Sequence, residues 1–182
     1  MQMLFDAASG RLTENSPATL QPPAGTGPRH LDFHPSGDIV YLLNELDATI
    51  TTLALNRTNG RLRALHNVAM LPPGFAGEPW GADLHLSPDG RILYSSERRS
   101  STLAAFRIDT DTRALNLLGH ITTEPQPRGF NLDPSGRWLV VAGQVSNRVT
   151  VYAINPHSSM PETRASVGVG NNPNWIEIVA LS

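Results

Sequence analysis

The amino-acid sequence predicts an all-β fold, a partial β-propeller of four-stranded antiparallel blades, on three observations. A turn signature recurs as Phe33-His34-Pro35-Ser36-Gly37, Leu86-Ser87-Pro88-Asp89-Gly90 and Leu132-Asp133-Pro134-Ser135-Gly136. Each turn leads into an apolar β-type run, then a polar turn, then a strand of period-2 character. The turn glycines stand 53 and 46 residues apart, which matches the span of one blade. A stacked solenoid would not produce four short antiparallel strands per repeat.

The elements follow from the repeat. Proline presets φ for the second turn position, and glycine supplies the positive φ that closes it. The runs after the turns are Ile39 to Leu43, Ile92 to Tyr94 and Trp138 to Val141; the alternating strands are Thr49 to Leu55, Thr102 to Ile108 and Arg148 to Ile154. A shorter, weaker fourth strand is expected after each. The longer first interval reflects a loop inserted around Leu71 to Gly77. Met1 to Asp6 with Gly10-Arg11-Leu12 matches strand three and the turn after it, as in Asn59-Gly60-Arg61-Leu62. Pro173 to Ile178 matches a first strand, as in Pro28 to Phe33. One partial propeller domain results: part of a blade over 1–24, blades over 25–76, 77–124 and 125–171, and a closing inner strand over 172–182. Such a stack leaves apolar sheet faces open at both flanks, so a homodimer or a missing N-terminal half is expected to cover them.

Composition narrows the function classes. Basic and acidic residues number 14 and 16 among 182, with a formal net charge of −2. No basic footprint for nucleic acid or an anionic membrane surface follows from that. The chain has no cysteine, which removes disulfides and thiolate chemistry. No apolar run approaches the roughly 20 residues needed to span a bilayer, and Met1 to Asp6 lacks the basic and apolar regions of a leader. A soluble cytoplasmic protein is expected. Gly168-Val169-Gly170 precedes a strand, not a helix, and is no phosphate loop. No Gly-x-Ser-x-Gly elbow or metal-ligand spacing occurs, so neither a metal nor a cofactor is expected.

The repeat also assigns side chains to a rim. Arg29, Ala82, Arg128 and Asn174 fall at one equivalent position near the mouth of strand one, followed by His30, Asp83, Gly129 and Trp175. The turn between strands two and three carries Glu45, Arg98 and Gln144, preceded by Asn44, Glu97 and Gly143. One face of the disc therefore gathers Arg29, Arg98, Arg128, Glu45, Glu97, His30 and Asp83. Guanidinium groups suit carboxylate or phosphate, and a carboxylate among them can act on water. Mutual pairing at a solvated loop face is the competing reading. His85, equivalent to Asp32, Asn131 and Glu177, favours inter-blade hydrogen bonding over lining the channel. His34, His66, His120 and His157 read as turn or surface residues, and Trp80 and Trp175 as packing.

Gly27-Pro28-Arg29-His30-Leu31-Asp32-Phe33-His34-Pro35, Asn44-Glu45-Leu46, Trp80-Gly81-Ala82-Asp83-Leu84-His85, Gln126-Pro127-Arg128-Gly129-Phe130 and the segment from Val167 to Trp175 together resemble the bacterial propeller-type 6-phosphogluconolactonases. The resemblance runs from Met1 to the C-terminus and implies the C-terminal half of a seven-bladed ring. It implies a phosphorylated sugar lactone as the small-molecule partner, namely hydrolysis of 6-phosphoglucono-1,5-lactone to 6-phosphogluconate in the pentose phosphate pathway. Family members close the ring by setting a C-terminal inner strand beside N-terminal strands. Fungal carboxymuconate-lactonizing relatives use two arginines, a glutamate and a histidine; Arg29, Arg128 and Glu45 match the first three, and the histidine lies upstream of this chain. The resemblance thus implies Arg29, Glu45 and Arg128 as catalytic; His30, adjacent to the site but not the family's histidine by alignment, joins Asp83, His85 and Arg98 as candidate substrate contacts from their repeat positions. A carboxymuconate-type cycloisomerase and an inactive half-propeller binding module remain the alternative functions.

Overall fold

The computed structural model describes residues 1–180 and contains 14 strands, with no helix among the described residues. An N-terminal hairpin pairs β1 (Met3–Asp6) with β2 (Arg11–Glu14). Three four-stranded antiparallel sheets follow, each in sequential order. The first holds β3 (Pro28–Phe33), β4 (Ile39–Asn44), β5 (Thr49–Asn56) and β6 (Arg61–Ala69). The second holds β7 (Gly81–Leu86), β8 (Ile92–Glu97), β9 (Thr102–Ile108) and β10 (Leu115–Thr122). The third holds β11 (Pro127–Leu132), β12 (Trp138–Gly143), β13 (Arg148–Ile154) and β14 (Pro161–Gly168). This is a partial propeller, all-β as the turn repeat predicts.

The three turns between strands one and two share one geometry. Gly37, Gly90 and Gly136 have φ of 77°, 70° and 69°, and their amides donate to the carbonyls of His34, Ser87 and Asp133. Side chains carry this punctuation into the next strand, where Ser87 Oγ accepts from the Ile92 amide and Asp133 Oδ1 from the Trp138 amide.

Blades pack face to face through their three inner strands. Tyr41, Leu43 and Ile50 of the first blade meet Leu84, Leu93 and Phe106 of the second. Ile92, Tyr94 and Leu103 of the second meet Phe130, Leu139 and Val141 of the third. The two interfaces repeat a polar tie: Tyr41 OH donates to Arg113 O at 3.1 Å and Tyr94 OH to Ser159 O at 2.7 Å. Burial, against a smaller pull from Arg113, pushes the Tyr41 hydroxyl up to about 12. Both acceptors are non-glycine residues at positive φ in the turn between strands three and four, so each tyrosine satisfies a carbonyl held in a strained turn.

Two expectations need correction. The fourth strand is not the shorter one, since β6, β10 and β14 span 9, 8 and 8 residues. As an outer edge it is mostly exposed, with no buried residue in β6 and only the first residue buried in β10 and β14, so its hydrophobic pattern is faint although its hydrogen-bonded ladder is long. The segment expected as a closing inner strand over 172–182 forms no strand over 172–180, and its last two positions lie outside the described residues. It runs beside β11, where Asn131 Nδ2 donates to Ile176 O at 3.3 Å, but it lacks the ladder partner that a strand requires.

The flanks are apolar and open. Leu31 and Phe33 of β3 are about half exposed on the side facing the hairpin, and Trp138 of β12 and Val167 of β14 are exposed on the opposite flank.

Candidate active site at the blade rim

The site begins with a backbone irregularity that recurs at the mouth of strand one. Pro28 pairs with Asn44 and Leu31 with Leu42, so Arg29 and His30 together face Leu43 alone. Gly81 pairs with Glu97 and Leu84 with Ser95, so Ala82 and Asp83 share one partner position. Pro127 pairs with Gly143 and Gly129 with Ala142, leaving Arg128 as the extra residue. Each is a β-bulge, a device that re-aims side chains where regular alternation would send neighbours to opposite faces. Arg29 and His30 are adjacent in sequence, yet both line one concavity of about 280 Å³, with Arg128, Asn174 and Trp175 as the other walls.

Gly129 makes the fifth wall possible. A Cβ on this residue would lie 2.6 Å from Asn174 O and 3.1 Å from the Trp175 Cα. The absent side chain lets the 172–180 segment approach β11 and bring Trp175 to the concavity, where sequence reasoning had placed it in packing.

Arg29 is held by its Nε, which donates to Ala82 O at 2.9 Å. Neither Arg29 nor Arg128 has a carboxylate partner among the described residues. Two uncompensated guanidinium groups on one small concavity form an anion-binding arrangement.

Glu45 and Arg98 are brought together at the same rim. Arg98 Nη2 donates to Glu45 Oε1 and to Gly81 O at 3.0 Å, and Nε donates to Trp80 O at 3.3 Å. The guanidinium carbon lies 3.7 Å from the centre of the Trp80 ring, and that of Arg99 lies 4.8 Å from it. The Arg98 side chain is only 2% exposed, against 28% for Glu45. The stacking and the three acceptors commit Arg98, expected from sequence as a substrate contact, to holding Glu45. Burial alone would raise the Glu45 pKa, but the Arg98 hydrogen bond and the charges of Arg98 and Arg29 hold it below the ordinary carboxylate value.

Asp83, likewise expected from sequence as a substrate contact, is buried. Its side chain is 4% exposed. Oδ1 accepts from the Leu84 amide at 3.0 Å and faces His30 Nδ1 at 2.8 Å. Oδ2 faces His85 Nε2 at 3.2 Å and accepts from the Phe130 amide of the next blade at 3.3 Å. Burial opposes ionisation, but hydrogen bonds and charge from His85 and His30 hold the Asp83 pKa below its ordinary value. His85 stands edge-on to Phe130, with ring centroids 4.9 Å apart. Burial would lower its pKa; Asp83, with Asp32 and Glu177 at longer range, raises it. The inter-blade hydrogen bonds expected at this repeat position occur at Asp32, which accepts from the Leu86 amide, and at Asn131. His85 bonds within its own strand instead.

The other rim residues are structural. Glu97 is fully buried and accepts from the amides of Trp80 at 2.6 Å and Ser100 at 2.5 Å. In the third blade Gly143 takes its place, and the space is filled by Glu124 from the β10–β11 connection, which accepts from Thr150 Oγ1 and Ser166 Oγ. This substitution across the fold leaves no trace in the repeat alignment. Among the described residues, no three His, Asp or Glu side chains converge as metal ligands do.

A family profile described as "Lactonase, 7-bladed beta-propeller" matches residues 2–178. The chain belongs to this family. Among curated relatives, the 6-phosphogluconolactonase of Sodalis glossinidius is 41% identical over 172 residues, covering 94% of this chain and 52% of that protein. That of Pectobacterium carotovorum is 40% identical over 179 residues, covering 98% and 54%. The chain spans about half the length of the curated relatives it matches. Among solved family-like structures, the periplasmic gluconolactonase of Pseudomonas aeruginosa superposes with a TM-score of 0.88 at 35% identity, covering 96% of this chain and 48% of that one. A Lactobacillus plantarum protein superposes equally, at 0.88 and 32% identity, over 95% and 50%.

Proposed function

We propose that this rim hydrolyses 6-phosphoglucono-1,5-lactone to 6-phosphogluconate. The observation that carries the reading is the pair of unpaired guanidinium groups, Arg29 and Arg128, on one concavity beside the Glu45–Arg98 ion pair. The curated relatives' name supplies the substrate. One guanidinium holds the phosphate while the other stabilises the oxyanion that forms when water attacks C1. Glu45, acidified by its arginines, serves better to orient the water than to deprotonate it. Modest help suffices for a reactive ester, since about 4 kcal/mol corresponds to a thousandfold.

Unphosphorylated glucono-1,5-lactone is the second reading, because the Pseudomonas aeruginosa structure is that of a periplasmic gluconolactonase. A phosphorylated substrate fits the cytoplasm, where its charge retains it. Proton release from both lactones, measured against the spontaneous rate, separates the readings. The phosphorylated lactone should be hydrolysed faster, and Arg29→Ala should abolish that gain. Preference for the unphosphorylated lactone moves the reading to the second substrate, and spontaneous rates for both overturn the two.

We also propose that the apolar flanks are covered in the functional protein, by a companion N-terminal half or by a second copy of this chain. The half-exposed Leu31 and Phe33 and the exposed Trp138 support this. Sedimentation tests it: a folded, monodisperse monomer would overturn it.

A further inference from the structure

We infer that His30 is the proton-transfer group of this site, with Asp83 as its positioning residue. The inference rests on the lactonase reading and assigns within it a role left open by Glu45. All the acceptor positions of the buried Asp83 carboxylate are taken, by two amides and two imidazoles, which leaves nothing for a substrate. Because that carboxylate is ionised, the nitrogen facing it must carry a proton. In its neutral form His30 therefore carries its hydrogen on Nδ1 and presents the lone pair on Nε2, the tautomer a general base needs.

His30 Nε2 has no hydrogen-bond partner among the described residues, the side chain is 31% exposed, and His30 lines the same concavity as Arg29 and Arg128. The charged groups facing it are Arg29 on its own strand, Asp83 and, through Asp83, His85 on β7, and Arg128 on β11. The bulge is what turns His30 toward the anion site; in a regular strand it would point away from Arg29.

The chemistry balances. Nε2 takes a proton from water as the water oxygen bonds to C1, and the carbonyl electron pair moves onto oxygen beside a guanidinium. When that pair returns, the C1–O5 bond breaks and Nε2–H delivers the proton to O5. The new carboxylic acid then releases its proton to solvent.

The experiment compares wild type, His30→Gln, His30→Ala and Asp83→Asn for lactone hydrolysis, for its pH dependence and for binding of 6-phosphogluconate, with thermal melting as the check on folding. His30→Gln should reduce turnover about 100-fold, remove the acid limb of the pH–rate profile and leave product affinity within about twofold. Added imidazole should restore part of the activity of His30→Ala. Asp83→Asn, if folded, should lose turnover through the wrong tautomer while still binding product. Turnover of His30→Gln within about threefold of wild type, with product binding intact, would overturn the role of His30 and leave the lactonase reading standing. Absence of product binding and hydrolysis in wild type would instead remove the lactonase reading, and this inference with it.

Discussion

Asp83 Oδ1 lies 2.8 Å from His30 Nδ1 although the two residues belong to the inner strands of neighbouring blades. The same carboxylate reaches His85 on its own strand. One buried anion thus ties two imidazoles across a blade interface, and its titration has consequences for stability as well as for chemistry.

The pair predicts a pH window. Asp83 lies below its ordinary 3.8, so its contribution is complete above 3.8 and disappears as pH falls through the lower folded value. His85 lies above its ordinary 6.5, so its contribution is complete below 6.5 and disappears as pH rises through the higher folded value. Both are complete between those values. The melting-temperature gap between wild type and Asp83→Asn should be widest in that window and narrow on either side. A gap that stays constant across pH would show that the tie is not ionic.

Arg98 offers a second prediction. Removing a guanidinium that is buried, stacked on Trp80 and bonded to Glu45 loses packing as well as charge. The Glu45 left behind is partly exposed and can rehydrate, which reduces the cost below that of a fully buried pair. Arg98→Ala should therefore destabilise by about 2–3 kcal/mol in urea titration. A change below about 0.5 kcal/mol would place the pair among surface ion pairs instead.

Gly129→Ala tests the close approach of the 172–180 segment. The added methyl would collide with backbone, not with a movable side-chain end. A cost of about 1–3 kcal/mol is expected. The larger effect should fall on the concavity, with weaker 6-phosphogluconate binding and a changed Trp175 fluorescence environment. Unaltered affinity would mean that the Asn174–Trp175 wall takes no part in binding.

Phe130→Ala probes the interface between the second and third blades, where the ring is buried and meets His85 edge-on. The expected loss is about 3–5 kcal/mol by chemical denaturation. A loss near zero would indicate that the two blades are not cooperatively packed.

Much of this architecture is written in local pattern. Proline and glycine at fixed offsets specify the turns of Gly37, Gly90 and Gly136, and alternation specifies the strands after them, because both depend on a few neighbouring residues. The rim position of Arg29, Glu45 and Arg128 follows from repeat register alone. Register could not reveal the bulges that place Arg29 and His30 on one concavity, since a bulge is decided by the strand paired opposite. Nor could it show that Asp83 and Arg98 are buried by elements tens of residues away, or that Glu124 fills the space beside Gly143. Turn chemistry and period act within a strand and are legible in order. Burial, tautomer and side-chain aim arise where blades meet, and only the packed structure decides them.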